Sequence, residues 1–126
     1  SIGDNVQITN KVRFFTHGGA WILREDCPQA DFFGKIIVKN NVYIGFGSII
    51  MPGVTIGSNV IVGAGSVITK SIPDNCIVGG NPARIIGETN NFKDRIKKFI
   101  VPTKKMSKSE KKKYLLQLND KFLIKK

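Results

Sequence analysis

The chain has 126 residues, a formal net charge of +11 and two cysteines, Cys27 and Cys76, which form no closely spaced pair. This length suits one domain, and no apolar run reaches the roughly 18 residues of a membrane span. The isolated cysteines argue against a disulfide scaffold and fit a reducing cytoplasm. Residues 1–90 hold seven basic and six acidic side chains, so +10 of the charge belongs to residues 91–126. The basicity therefore describes the C-terminal segment rather than the whole chain.

From its first residues the chain follows a repeat of six. Over residues 1–19, two series recur with this spacing and are expected to point inward: Ile2, Ile8 and Phe14, and Val6, Val12 and Gly18. Since the pattern is already present at the first residue, we expect further coils upstream. The repeat is absent from about residue 20 to residue 37. We predict that this stretch is a loop extruded from a corner, long enough to carry function.

The repeat returns between residues 38 and 73 and keeps its phase over six units. One series is aliphatic and the other, four places later, is small or β-branched: Val38, Ile44, Ile50, Ile56, Val62 and Ile68, and Val42, Ser48, Val54, Val60, Ser66 and Ile72. A period of six is typical of a parallel β-helix with three hexads per coil. Separate strands of a sandwich would not keep this phase. Gly45, Gly57 and Gly63 follow the aliphatic series, where we expect positive φ or close backbone approach.

After a turn-rich exit, residues 88–126 predict a basic helical tail. Apolar residues at helical spacing predict a first amphipathic helix, which Pro102 and Thr103 end: Phe92, Ile96, Phe99 and Ile100. Ser107 and Glu110 fit a capping box that opens a second helix, with an apolar stripe of Tyr114, Leu115, Leu118 and Phe122. Such a tail is a solvated helix pair, a trimer contact or a peripheral site for an anionic membrane surface. Nucleic acid is disfavoured, because no base-stacking module accompanies the charge.

His17, the one histidine in the sequence, comes just before the irregular stretch and is followed by two glycines. Acyl transfer to a hydroxyl needs a base that takes the hydroxyl proton as attack begins. An imidazole with an unperturbed pKa near ~6.5 suits this task at neutral pH. From the residues alone, a surface histidine at a corner is the commoner case. A single histidine excludes the three-histidine zinc site of a β-helical carbonic anhydrase, so we expect no metal.

Five short motifs occur together over about residues 2–87: THGG, NVYIG, PGVTIG, IVGAGSVITK and GNPARII. In this combination the chain resembles the hexapeptide-repeat acyltransferases, nearest to the maltose/galactoside O-acetyltransferases and the capsular and lipopolysaccharide acetyltransferases. The resemblance implies an all-β fold, with a left-handed parallel β-helix over residues 1–87 as an exception to right-handed crossovers. It also implies a homotrimer with active sites at subunit interfaces and acetyl-CoA as acyl donor. Residues 88–126 lie outside the resemblance.

The resemblance places the catalytic base at His17, with Asn10 and Thr16 as candidates to orient its ring. A backbone N–H within residues 45–48 is the expected donor to the oxyanion. The positions implied for the acyl donor are Tyr43, Phe46, Ala64, Gly65, Thr69, Lys70 and Arg84. The two cations among them would meet phosphates, and Tyr43 is either a groove wall or a core residue.

Two positions depart from the family pattern. Phe46 stands where a small residue is usual, and Gly87 stands where an arginine is usual. We therefore expect the adenine nucleotide to be bound more weakly or in another way. Aromatic and cationic residues of the irregular stretch are candidates for the acceptor site, because sugars stack on aromatic rings: Trp21, Arg24, Phe32 and Phe33. Packing of this loop on a neighbouring subunit is the alternative.

Together these features favour an acetyl-CoA-dependent O-acetyltransferase that acts on a hydroxyl of a saccharide in surface polysaccharide biosynthesis. We expect it in the cytoplasm or at the inner face of the membrane. An N-acetyltransferase of an amino-sugar nucleotide, or a xenobiotic acetyltransferase, would use the same chemistry with another acceptor. A non-catalytic β-helix scaffold is the alternative of a different class. Turnover in a His17→Ala variant distinguishes the enzymes from the scaffold.

Overall fold

The computed structural model describes residues 1–125. The strands are β1 (Val6–Ile8), β2 (Arg13–Phe14), β3 (Ile37–Val38), β4 (Val42–Ile44), β5 (Ile49–Ile50), β6 (Thr55–Ile56), β7 (Val60–Val62), β8 (Val67–Ile68), β9 (Cys76–Gly80) and β10 (Ala83–Glu88). The helices are α1 (Thr89–Ile96) and α2 (Lys108–Gln117), with 3-10 turns at Ala20–Leu23, Lys97–Phe99 and Asp120–Phe122. The chain forms two compact units, the repeat unit (Ser1–Asn90) and the basic unit (Asn91–Lys126).

The repeat unit winds through three sheets in turn. Their strand orders are β1-β4-β7-β9-β10, β2-β5-β8 and β3-β6, and all neighbours are parallel except β9 and β10. Val42 pairs with Val60, so one coil takes 18 residues, whereas Val6 pairs with Val42, 36 residues on. The additional residues belong to the irregular stretch. Because its length equals one coil, the six-residue phase of the sequence continues after it.

The two predicted inward series form the core of the repeat unit. Every member of both series between residues 38 and 72 is buried, and three isoleucines have no exposed surface: Ile44, Ile50 and Ile56. The first coil is more open, since Ile2, Ile8 and Phe14 are 56 %, 40 % and 36 % exposed. These side chains lie at the end of the described stack, with a coil on one side alone. The six-residue repeat therefore predicts which side chains point inward, but their burial also requires a neighbouring coil.

Ser48 and Ser66 occupy two of the inward positions. Both hydroxyls donate to the carbonyl oxygen of Gly63, at 3.0 Å for Ser48. A buried hydroxyl without a partner would cost free energy. The shared acceptor therefore allows small polar residues in a core that is otherwise aliphatic.

The glycines behind the aliphatic series do not adopt positive φ, so one of the two predicted reasons for them is wrong. Positive φ occurs instead at asparagines and at other glycines of the corners, among them Gly47, Gly53 and Gly65. Close approach is the correct reason at two positions. A Cβ on Gly45 would lie 2.5 Å from the nitrogen of Ala64, and a Cβ on Gly57 would lie 2.7 Å from the nitrogen of Asp74. Around Gly63 the space is looser, with the nearest atom at 3.4 Å.

One corner of the repeat unit is a ladder of asparagines. The side-chain amide of Asn5 donates to Asn41 at 2.8 Å, Asn41 donates to Asn59 at 3.2 Å, and Asn59 donates to Asn75 at 3.0 Å. All four residues have φ between 53° and 63°, a region that asparagine tolerates better than most residues with a side chain. The ladder thus supplies both the turn geometry and hydrogen bonds between coils.

The irregular stretch leaves the first coil and returns to it at the same place. His17 and Phe33 form an antiparallel bridge, and the Gly34 N–H donates to the carbonyl oxygen of Thr16 at 2.7 Å. A Cβ on Gly34 would lie 2.3 Å from the nitrogen of Gly53, so a larger residue would not fit where the chain rejoins the coil. Both ends of the stretch therefore lie beside His17.

The first helix of the basic unit is shorter than the predicted one. α1 ends at Ile96, and Phe99 lies in the 3-10 turn that follows, so the four predicted apolar residues do not share one helix. Ile100 is extended, with φ −69° and ψ 129°. This end suits the following sequence, because Pro102 disfavours helical backbone in the residue before it.

α2 begins with the predicted capping box. The Glu110 N–H donates to Ser107 Oγ at 3.2 Å, and the Ser107 N–H donates to Glu110 Oε2 at 2.7 Å. Two hydrogen bonds lower the pKa of Glu110: the one from the Ser107 backbone N–H has the larger effect, and the one with the Ser107 side chain has the smaller. Leu118 is extended with ψ 135°, and the Asn119 side chain then caps a new turn that contains Phe122. The prediction that one helix carries the whole apolar stripe is therefore wrong, because Leu118 and Phe122 lie beyond the end of α2.

Within residues 1–125, the helices are too short and too polar to cross a bilayer.

Candidate active site

His17 lies at the corner that follows β2, where the irregular stretch begins. Its Nδ1 is 3.4 Å from the hydroxyl oxygen of Thr16. Its ring packs on Phe33, with ring centroids 5.6 Å apart and planes inclined by 42°. The imidazole is thus held on two sides while its surface is exposed. When Nδ1 donates to the Thr16 hydroxyl, Nε2 is the nitrogen that can accept a proton from a substrate hydroxyl.

A groove of ≈ 720 Å³ lies beside His17 and runs along the outer face of the β2-β5-β8 sheet. The sheet and the loop contribute its walls: Phe15, Ile49, Met51, Pro52, Val67 and Thr69, and Gly18, Gly19 and Phe32. Except for Thr69, the predicted sites did not include these sheet residues. Strand alternation offered a signal, since Ile49 and Val67 are aliphatic residues beside inward positions and therefore point outward.

A second groove of ≈ 410 Å³ shares one lining residue with the first. Thr69 lines both grooves, and Lys70 and Arg84 line the second together with residues 71–73. One Nη of Arg84 donates to the carbonyl oxygen of Ala83 at 3.0 Å. Of the predicted donor positions, Thr69 therefore lines the groove of His17, and Lys70 and Arg84 line the groove that adjoins it at Thr69. The first groove offers an imidazole and an apolar wall, and the second offers two cations suited to phosphate.

The other predicted donor positions lie at a different corner. Phe46 follows β4, Ala64 and Gly65 follow β7, and the Gly65 N–H donates to the Phe46 carbonyl oxygen at 2.8 Å. The Phe46 ring is 51 % exposed, with Lys11 Nζ 5.4 Å from its centroid. Tyr43 is 40 % exposed in the middle of β4, so it is a surface residue and the core alternative is wrong. Within one chain these residues and His17 occupy separate corners.

Asn10 belongs to the corner of Phe46 rather than to that of His17. It lies between β1 and β2, and its carbonyl oxygen accepts from the Gly47 N–H at 3.1 Å. Of these two candidates, Thr16 is the one whose side chain is recorded in contact with the imidazole, with its hydroxyl oxygen 3.4 Å from Nδ1. Of the two candidates to orient His17, the geometry therefore favours Thr16.

Most of the N–H groups predicted to stabilise an oxyanion already have acceptors. Gly45 donates to Val62 at 2.8 Å, Gly47 to Asn10 at 3.1 Å and Ser48 to Gly45 at 3.3 Å. These hydrogen bonds hold the coils and the corner together. Because the three N–H groups are already used, the prediction that they donate to an oxyanion is wrong for this geometry. The N–H groups of Gly45 and Gly47 bind neighbouring coils, and that of Ser48 closes the corner itself.

The loop residues predicted for the acceptor have different surroundings. Phe33 packs on His17, and Phe32 lines the groove with its ring tip 3.2 Å from where a Cβ on Gly19 would be. Trp21 is 78 % exposed in the 3-10 turn, and the Arg24 N–H donates to the Trp21 carbonyl oxygen at 3.2 Å. The two phenylalanines therefore belong to the site geometry, and a role for Trp21 and Arg24 stays a prediction.

A parallel β-helix of six-residue repeats is the architecture of the hexapeptide-repeat transferases. Residues 35–70 match the family described as bacterial transferase hexapeptide (six repeats). The chain belongs to this family. Membership carries the left-handed parallel β-helix that the motifs implied.

Three similar proteins illustrate the relationship. Protein CapG of Staphylococcus aureus is 53 % identical over 116 residues, which cover 91 % of this chain and 67 % of CapG. The galactoside O-acetyltransferase of Escherichia coli is 40 % identical over 93 residues, which cover 72 % of this chain and 45 % of that enzyme. A hexapeptide-repeat acetyltransferase of Vibrio cholerae, solved with acetyl coenzyme A, has a TM-score of 0.64 at 34 % identity over 70 % of this chain and 48 % of its own. The chain thus spans two thirds of CapG and less than half of the other two.

The match to CapG includes part of the basic unit, which the motifs had left outside the resemblance. The repeat unit ends at Asn90 and can supply at most 90 of the 116 matched positions. At least part of the tail is therefore similar to CapG as well.

Proposed function

We propose that this chain belongs to an acetyl-CoA-dependent O-acetyltransferase that acetylates a hydroxyl of a saccharide, with His17 as the general base. The observation that carries the proposal is a path of two grooves that share Thr69, with His17 lining the first and Lys70 and Arg84 lining the second. A reactive thioester at one end and phosphates at the other are the two features of acetyl-CoA that such a path suits. The names of the galactoside and Vibrio cholerae relatives support the same chemistry.

In the proposed reaction the acceptor hydroxyl attacks the thioester carbonyl while His17 takes its proton. A C–O bond forms, the C–S bond breaks, and the thiolate of CoA leaves. In the tautomer in which Nδ1 donates to the Thr16 hydroxyl, Nε2 is the basic nitrogen, and packing on Phe33 limits rotation of the ring. General base catalysis of this kind contributes about 10²- to 10⁴-fold to the rate.

The residues of the path fit the acyl donor. The apolar wall of the first groove, including Met51 and Val67, suits the pantetheine arm. Lys70 and Arg84 lie where phosphates would follow, and a planar guanidinium binds phosphate through two parallel hydrogen bonds. No metal is needed for this chemistry, because the imidazole supplies the base and the thiolate leaves readily.

The separate corner of Phe46, Ala64 and Gly65 supports a site that is completed between copies of the chain. We propose a homotrimer in which this corner of one subunit faces the His17 corner of its neighbour, with Tyr43 and Asn10 contributed from the same side. The outward side chains on the β2-β5-β8 sheet support such contact, since Phe15 and Met51 are 43 % and 37 % exposed. Apolar surface of this kind favours burial by association.

For the acceptor, we propose a sugar of a surface polysaccharide, bound at the base of the irregular stretch in the cytoplasm. Phe33 next to His17 offers a ring on which a sugar could stack, and Trp21 and Arg24 would extend this surface. A non-catalytic scaffold would have no use for a histidine held on two sides at the end of a phosphate-compatible groove. An N-acetyltransferase would share every residue of the path, so the acceptor must be found by assay.

The test is release of free CoA thiol from acetyl-CoA in the presence of free sugars, amino sugars and nucleotide-sugars. We expect acceptor-dependent release that falls about 100-fold or more in His17→Ala. Gln29→Ala is the matched control, because Gln29 is exposed in the same loop and lines neither groove. Equal turnover in His17→Ala and the control would exclude His17 as the base. If amine acceptors gave faster thiol release than every hydroxyl acceptor, the proposed activity would be N-acetylation instead of O-acetylation.

A further inference from the structure

The basic unit combines dense positive charge with exposed aliphatic side chains. Residues 91–126 contain 13 Lys and Arg against three acids. Two of the acids are engaged locally, since Asp94 pairs with Lys97 at 2.8 Å and Glu110 accepts the capping hydrogen bond of α2. The net field of the unit is therefore strongly positive. This charge belongs to neither groove of the candidate active site.

On α2 the charge and the apolar surface coincide. Leu116 is 77 % exposed, and Lys112 and Lys113 precede it by four and three residues, a spacing that places them on the same helix face. All three side chains are exposed. An exposed leucine flanked by lysines can enter the apolar edge of a bilayer while the lysines stay among the headgroups.

A groove in the same unit repeats this combination. It has a volume of ≈ 590 Å³, and apolar and charged side chains line it together: Phe92, Ile96, Phe99 and Ile124, and Asp94, Arg95, Lys98 and Lys125. Ile124 is 62 % exposed, and Ile100, next to the groove in sequence, is 68 % exposed. Two independent sites of the unit thus offer apolar surface bordered by cations.

We propose that the basic unit docks on an anionic lipid bilayer. Anionic headgroups attract each nearby lysine or arginine, and exposed aliphatic side chains add apolar insertion. Nucleic acid would use exposed rings for base stacking, but cations lie over the rings of Phe99 and Phe122, with Lys Nζ 5.1 and 5.0 Å from the centroids. A second basic unit is a poor occupant, because two units of net +10 repel each other. The proposal does not depend on acetyl transfer.

The test is flotation of the full chain with vesicles of phosphatidylcholine, alone or mixed with phosphatidylglycerol. We expect binding to the mixed vesicles only, and weaker binding as salt is raised. Inorganic phosphate at equal ionic strength should not compete, which distinguishes a bilayer from a simple phosphate site. Lys112→Gln/Lys113→Gln should lower the partition coefficient about 30-fold, and Leu116→Ser about 10-fold.

The matched control is Lys35→Gln/Lys39→Gln, which removes the same charge from the repeat unit and should bind as the unchanged chain does. Thermal unfolding of each variant checks that its fold is intact; Leu116 is so exposed that its replacement should not alter it. Failure to float with the mixed vesicles would overturn the proposal, as would equal losses in both lysine pairs. If the chain bound single- or double-stranded nucleic acid more tightly than vesicles at the same salt concentration, the partner of the basic unit would be nucleic acid and the bilayer proposal would be wrong.

Discussion

The two units of the chain reach order by different means. In the repeat unit, isoleucines such as Ile44 and Ile50 are fully buried, because each coil covers the inward side chains of the next. In the basic unit, Ile100 and Leu116 are 68 % and 77 % exposed, and α2 begins with a local capping box. The repeat unit therefore owes its order to stacking between distant residues, whereas the basic unit relies more on hydrogen bonds between near neighbours.

The largest difference should appear when the same substitution is made in both units. Ile50→Ala should lower the free energy of unfolding by about 3 kcal/mol, because it leaves a cavity between stacked coils. Ile100→Ala should change it by less than about 0.5 kcal/mol, since the side chain is mostly in water. Urea unfolding followed by circular dichroism measures both values. Equal losses would mean that the basic unit has a core of comparable packing.

A second pair of variants compares the units in binding. Arg84→Ala should raise the KM for acetyl-CoA about 10-fold, because it removes a charge-assisted hydrogen bond to phosphate. Arg95→Ala removes the same side chain from the basic unit and should leave KM unchanged. Steady-state thiol release measures both. An effect of Arg95→Ala as large as that of Arg84→Ala would place the phosphates of the donor near the basic unit.

The smallest effect concerns the cap of α2. Ser107→Ala should weaken this helix by about 1 kcal/mol, since it removes the acceptor for the Glu110 N–H. The pKa of Glu110 is lowered in the folded chain by the hydrogen bonds to Ser107. The ionised Glu110 carboxylate therefore stabilises the folded chain fully above the ordinary glutamate pKa. This stabilisation is lost as pH falls through the lowered pKa of the folded chain. Helix content measured against pH should show this loss in the unchanged chain and not in Glu110→Gln.

Within the repeat unit, sequence reasoning succeeded where a property depends on one hexad at a time. The inward direction of Ile44 or Val60 follows from its place in the hexad, so the period identified the core. The same reasoning was wrong about Gly45 and Gly57 in one respect, because the need for glycine there comes from the approach of another coil. In the basic unit, apolar spacing predicted helices but missed their ends at Ile96 and Gln117, where the chain turns into 3-10 or extended backbone.

For the candidate site, too, the sequence predicted the local features and the structure decided which residues lie together. The sequence alone determined the parallel β-helix, its inward series, the histidine at a corner and the location of the charge, since these follow from local spacing and composition. Only the tertiary structure decided that Thr69 lines one groove with His17 and another with Arg84. It also decided that Asn10 and Phe46 share a corner, and that Thr16 contacts the imidazole. The physical reason is that stacking in steps of 18 residues brings together residues that are far apart in the chain, and the hexad does not specify which neighbours they meet.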